Sequence, residues 1–197
     1  MILIIDNYPR FKGIKSLKRI RKISSKFQKI KIIKYYELKN PNLEGYDGII
    51  LTGSSSCIIN KCVSMAYSEV IKLILSANVP ILGICFGLQL ISYAYGATIV
   101  KMDKRRKGYF QVKLIKNDDP IFNGIDKRQI IVKENHLNKV KNLLKEFELL
   151  ASSEQCEIEA IRHKNKFLYG LQFHPESYSS DYPDGKIILE NFLRMIP

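Results

Sequence analysis

Short apolar runs alternating with helical periodicity fill the first half of this chain and leave it few folds to choose from. Runs at 2–5, 30–36, 48–51 and 79–84 have strand length and little polar alternation. Between them, 13–25 and 64–77 repeat apolar side chains every three or four positions, as amphipathic helices do. A strand that is apolar on both faces has to be covered on both, so strand–helix alternation of this kind predicts a parallel sheet between helices. The second half reads differently: strand patterns at 109–115, 129–133, 149–152, 157–163 and 167–173 follow with less helix between them, and 186–195 closes as a helix. The expected fold class is therefore α/β, an open, mainly parallel, twisted sheet flanked by helices. A length of 197 residues suits one domain spanning 1–197.

Several classes are excluded by composition. A hydrophobic content of 46% is too high for a disordered chain. The start, Met1-Ile2-Leu3-Ile4-Ile5-Asp6, meets an acid at once and reads as a strand rather than a signal peptide. The uncharged stretch 78–100 has the length of a bilayer span, but Pro80, Gly83, Gly87, Gln89 and Gly96 interrupt it. Cys57, Cys62, Cys85 and Cys156 form no CxxC pair and read as thiols, so a reducing, cytoplasmic setting is expected. The net charge of +13 is concentrated: eleven basic residues lie between Phe11 and Asn40 against the single acid Glu37, and Lys101 with Lys104-Arg105-Arg106-Lys107 forms a second knot. In the first region Ile14, Leu17, Ile20, Ile23 and Phe27 mark the apolar side of a helix, which puts the lysines on its solvent face. Docking of an acidic partner is the second reading of that face. No nucleic-acid motif accompanies the charge.

Two segments carry chemistry. In Gly83-Ile84-Cys85-Phe86-Gly87, a cysteine flanked by glycines follows an apolar strand and opens a helix, the setting of a nucleophile on a sharp strand-to-helix turn. The positive end of the helix favours the negative charge that a reactive thiolate carries. The bland alternative is a small buried hydrophobe. The second segment, Gln172-Phe173-His174-Pro175-Glu176-Ser177, ends an apolar strand with a histidine and a carboxylate two apart. An imidazole oriented by a third group takes a proton from a thiol and returns it to a leaving amine. Pro175 favours extended backbone at His174, which lets the two side chains point the same way.

With both segments in place, the chain resembles the class I glutamine amidotransferases over nearly its whole length. The resemblance implies the flavodoxin-like fold of that family. It implies that Cys85 attacks the carboxamide of glutamine to give a γ-glutamyl thioester and ammonia, with His174 as acid and base and Glu176 orienting it, before water releases glutamate. It further implies an oxyanion hole made by the amides of Ser54 and Phe86, and glutamine contacts from Gly53, Gln89, Tyr109 and Phe110. The chain departs from the family at Thr52-Gly53-Ser54-Ser55-Ser56, where glycines are usual. Serine keeps the amide hydrogen but tolerates positive φ poorly.

Residues 119–125, 151–153 and 158–161 are similar to the glutaminase subunit of GMP synthase, which is the leading assignment. Asp6-Asn7-Tyr8 with Phe11, the segment 174–177 and residues 183–192 look more like the glutaminase subunits of anthranilate and aminodeoxychorismate synthases. Where the GMP synthase relatives carry Ser-His-Gly-Asp toward their partner, this chain has Glu134-Asn135-His136-Leu137-Asn138, so His136 is the candidate to face the partner. His163 reads as an ordinary surface histidine. The expected partner is a separate ATP-dependent synthetase subunit, to which ATP and magnesium would belong. No cofactor or metal is expected in this chain, which has no P-loop or ligand cluster. Two other readings are a free-standing γ-glutamyl hydrolase and a catalytically weak binding protein that uses the basic face. Intact Cys85, His174 and Glu176 argue against the latter.

Overall fold

The computed structural model describes residues 1–9, 12–59 and 61–197, of residues 61 and 62 the backbone alone; Phe11 and the Cys62 side chain lie outside the described residues. In chain order the elements are β1 (Ile2–Asp6), α1 (Ile14–Ser24), β2 (Ile30–Lys34), β3 (Gly48–Leu51), α2 (Lys61–Ala66), α3 (Ser68–Ser76), β4 (Ile81–Ile84), α4 (Phe86–Ala94), β5 (Ile99–Leu114), β6 (Gln129–Val140), β7 (Phe147–Ser152), β8 (Ala160–His163), β9 (Leu168–Leu171) and α5 (Asp184–Met195). All of these strands join one sheet in the order β2-β1-β3-β4-β9-β8-β7-β5-β6. The run from β2 to β9 is parallel and the run from β9 to β6 antiparallel. The sheet is thus mixed, and its parallel half is the half with the near-continuous apolar runs.

Alternation along each strand sends side chains to two cores. Ile2 and Ile4 pack with Ile20 and Ile23 of α1 and Phe192 of α5; Leu3 and Ile5 pack with Leu73 of α3 and Leu90 of α4. The lysines of α1 remain exposed, as the periodicity predicts, although Ile14 at the first turn is 52% exposed rather than buried. The stretch 78–100 divides into β4, α4 and the start of β5, and no helix among the described residues is long and apolar enough to cross a membrane.

The helix expected over 64–77 is two helices meeting at Tyr67. The Tyr67 ring is buried, stacked on Tyr35 with centroids 4.1 Å apart and edge-on to Phe86 at 4.9 Å. The β5–β6 hairpin extends well past its apolar stretches, and the outer part of β5 leaves Lys101, Lys104, Arg105 and Lys107 exposed. Its register breaks between the pairs Lys101–Asn138 and Arg106–His136, where β5 takes five steps against two of β6.

The glycines around Cys85 are needed for close approach. A Cβ at Gly83 would lie 2.6 Å from the Gly87 carbonyl, and one at Gly87 would lie 2.5 Å from the Leu51 carbonyl oxygen. Both obstacles are backbone, so neither can step aside, and α4 can start directly against β3 and β4 only with glycine at these positions. Gly87→Ala should lower the unfolding free energy by about 2–3 kcal/mol through overpacking; a urea midpoint equal to that of the wild type would contradict this account.

Candidate active site

Cys85 sits between β4 and α4 at φ 53°, ψ −99°, a backbone setting that non-glycine residues rarely adopt. Its amide donates to the Leu171 carbonyl of β9 at 2.6 Å, one step beyond the β4–β9 ladder. That bond places the thiol at the carboxyl edge of the sheet, where open α/β sheets present their ligand sites. Beyond β9 the chain continues to His174, whose amide donates to the Lys133 carbonyl of β6 at 2.7 Å. The two predicted segments are thereby brought side by side.

The His174 ring lies with Cys85 against Gly53 and hydrogen-bonds with Glu176, Nδ1 lying 2.9 Å from Glu176 Oε1. An ionised carboxylate only accepts, so Nδ1 donates and Nε2 is left for the thiol. Ser16, at the start of α1, donates its hydroxyl to the same Glu176 oxygen at 2.5 Å. Burial alone would push the imidazole pKa down, but the Glu176 carboxylate and then Cys85 outweigh it, and the ring holds its proton well above the ordinary histidine value. Burial would likewise raise Glu176, yet the charge and bond of His174 keep it below the ordinary carboxylate value. The pair is a buried ion pair with a thiol at its cationic end, an arrangement that stores a proton beside a nucleophile.

The turn after β3 faces Cys85. A Cβ at Gly53 would come 3.0 Å from His174 Cε1, 3.6 Å from Cys85 Cβ and 2.9 Å from the Tyr8 hydroxyl, so glycine keeps this wall open. Thr52 is held from both sides by Asn7: the Asn7 amide donates to Thr52 Oγ1 at 2.9 Å and Asn7 Nδ2 to the Thr52 carbonyl at 2.8 Å. Ser54 Oγ accepts from the Ser56 amide at 3.0 Å. No residue between 52 and 56 has positive φ, so the strain expected of serine in this loop does not arise. Phe86 is the first residue of α4, where helix amides lack an intrahelical acceptor.

Ser54, Cys85, Phe86, Gln89 and His136 line one cavity of about 330 Å³. The Gln89 side chain is engaged within the protein, its Nε2 donating to the Asn138 carbonyl at 2.9 Å and to Gln172 Oε1 at 3.3 Å. Tyr109 and Phe110 are placed elsewhere. The Tyr109 hydroxyl donates to the Ser177 carbonyl at 3.0 Å, and Phe110 lies under the Arg106 guanidinium at 4.2 Å, beside a neighbouring depression. The two histidines outside the Cys85 site's proton path, His136 and His163, are buried rather than exposed. His136 is 3% exposed, with Nδ1 3.0 Å from the Asn138 carbonyl and Nε2 2.8 Å from Glu134 Oε2. His163 is wedged between Tyr95 and Phe147 and accepts two backbone amides at Nδ1; burial pushes its pKa down.

Four residues to which the sequence assigned no role support this site. Ser16 bonds Glu176. Gln172, fully buried, points its Nε2 at Cys85 Sγ from 3.6 Å. Tyr67 donates to the Asn7 carbonyl at 2.5 Å and sits against Ser54 and Ser56; burial pushes its phenol up to about 12. Tyr8 packs its ring beneath Gly13, whose φ of +71° and lack of a Cβ let α1 begin there. Only Gln172 had a local signal, its place two residues before the histidine. Among the described residues, ligand atoms of His136, Cys156 and Glu159 come within 4.8 Å of one another. Both His136 nitrogens already face protein acceptors and Arg106 places a cation beside Glu134 and Glu159, so this trio does not suit a metal.

Comparison with known proteins agrees with this geometry. The family model Glutamine amidotransferase class-I matches residues 3–196. The chain is 34% identical over 197 residues to a glutamine-hydrolysing GMP synthase subunit of Methanothermobacter thermautotrophicus, covering 98% of this chain and 96% of the relative. It is 38% identical over 149 residues to the protein of the same name from Methanococcus maripaludis, covering 75% and 72%. A crystal structure of a Thermoplasma acidophilum protein, proposed to be the corresponding GMP synthase subunit, superposes with a TM-score of 0.83 at 31% identity over 98% of this chain and 92% of that one. A glutamine amidotransferase from Thermotoga maritima, at 19% identity, covers 98% and 90% with a TM-score of 0.73 and so shares the fold. With its thiol, imidazole and carboxylate gathered at the end of a mixed sheet, the chain belongs to the class I glutamine amidotransferases.

Proposed function

We propose that this chain hydrolyses glutamine through Cys85, His174 and Glu176 and passes the ammonia to a separate synthetase subunit that makes GMP. The observation that carries the chemistry is the His174 ring, set beside Cys85 and bonded at Nδ1 to the buried Glu176 carboxylate. Cys85 passes its thiol proton to His174, and the thiolate Sγ attacks the carboxamide carbon. The imidazolium gives its proton to the departing nitrogen, the C–N bond breaks, and a γ-glutamyl thioester remains. Water, deprotonated by His174, then breaks the C–S bond and glutamate leaves. The amides of Phe86 and Ser54 are the donors for the oxyanion of both tetrahedral states, a contribution on the order of a hundredfold or more per donor. Support for the acceptor comes from the GMP synthase name that the relatives share, which are matched over most of their length. The partner subunit would hold the ATP and magnesium. The exposed lysines of α1 and the segment after them offer it a basic face.

Exposure to a diazo-ketone analogue of glutamine should add one adduct to the intact mass, absent in Cys85→Ala, and that variant should keep its circular dichroism while losing ammonia release; release at the wild-type rate would remove Cys85 from the mechanism. Glu176→Gln should lower kcat by about a hundredfold or more. It also withdraws the charge that lifts the His174 pKa, so the fall in rate at high pH should begin at lower pH than in the wild type, read from the pH profile of kcat. For the acceptor, glutamine-dependent GMP formation should require this chain together with the ATP-dependent subunit. GMP formed from ammonia alone, with no gain from glutamine, would point to a different synthase.

A further inference from the structure

We infer that Arg105 binds the α-carboxylate of glutamine and so selects the amino-acid form of the carboxamide, an inference that rests on the glutaminase reading. The cavity over Cys85 carries Lys101 and Arg105 on its wall, and no Asp or Glu lines it among the described residues. Glutamine separates its carboxamide from its charged end by two methylenes. With the carboxamide at Cys85, the charged end lies farther out in the same cavity. An ammonium group placed alone against these walls would meet only cations, whereas a carboxylate would meet complementary charge.

The backbone explains why Arg105 in particular is available. The register break in the β5–β6 hairpin releases residues 102–105 from the ladder. Arg106 turns inward to a bidentate pairing with Glu134, while the next residue back, Arg105, is exposed and lines the cavity. Its Nη1 donates to Asn135 Oδ1 at 3.1 Å, and Asn135 lines the same cavity. A guanidinium has five donors in a planar fork, so one bond orients it and leaves capacity for a carboxylate, which takes two parallel bonds from such a fork. Lys101 remains in the ladder opposite Asn138 and adds a point charge beside it. Lys104 borders the neighbouring depression with Phe110 and not the cavity, so it supplies a control of equal charge.

The test is steady-state hydrolysis of glutamine and of 4-aminobutanamide, the same carboxamide with the carboxylate replaced by hydrogen, with and without the synthetase subunit. Arg105→Met should raise KM for glutamine about 10- to 100-fold with kcat within about threefold, the scale of a charge-assisted pair. The same variant should leave kcat/KM for 4-aminobutanamide within about twofold, Arg105→Lys should fall between, and Lys104→Met should keep the wild-type KM. An unchanged KM in Arg105→Met, equal losses on both substrates, or an equal rise in Lys104→Met would overturn the assignment while leaving the glutaminase reading in place. A wild-type protein that neither releases ammonia from glutamine nor takes the diazo-ketone adduct would overturn both.

Discussion

The parallel ladder between β4 and β9 is the constraint on which the rest depends. These strands are far apart in the chain, and their register, Ile81 with Leu168 through Ile84 with Leu171, fixes which residues leave the sheet together. Cys85 extends the pairing by one bond, to Leu171, and takes a strained backbone setting in doing so. Strain of this kind costs about 1–3 kcal/mol and persists only where the surroundings over-determine it. Here Gly83 and Gly87 press α4 against β3 and β4 from the other side. A slip of one residue in β9 would exchange the faces of Gln172 and Phe173 and carry His174 away from the thiol.

β6 is the second support, since it serves two buried charged groups. The Lys133 carbonyl holds the His174 amide, and one residue later Glu134 receives Arg106 and His136. Arg106 and His136 hold Glu134 below its ordinary value against the effect of burial, while burial and the neighbouring Glu134 push Glu159 above it. The two carboxylates near Arg106 thus divide their roles, one ionised and one inclined to keep its proton, which limits the net charge buried beside the cavity. Such a cluster makes the hairpin wall stiff where the register break has freed a few residues from the ladder.

Much of this was legible in the residues. Apolar runs located the parallel strands because those strands are buried on both faces, and the glycine-flanked cysteine and the His-Pro-Glu segment are short patterns whose local geometry follows from the residues themselves. The outer halves of β5 and β6 were not legible, since a strand solvated on one side and rich in lysine carries no apolar run. Tyr67 disguised a helix break, because its aromatic ring fits the same periodicity as the helices on either side. The burial of His136 and His163 was hidden because what encloses them, Glu134 for one and Tyr95 with Phe147 for the other, comes from contacts that composition does not reveal. Ser16 could not be found from sequence either: it reaches Glu176 across 160 positions, through the placement of α1 over Tyr8.

The serine-rich turn after β3 has a consequence for the unfolded chain. Its residues hold negative φ throughout, so a side chain at 54, 55 or 56 introduces no backbone conflict in the folded state. Before folding, a serine visits fewer conformations than a glycine does, and a compatible glycine replacement typically favours the folded state by about 0.4–1 kcal/mol for that reason. Each serine here therefore leaves the turn with less conformational entropy to lose as it closes over Cys85, an advantage that originates in the ensemble the chain leaves behind.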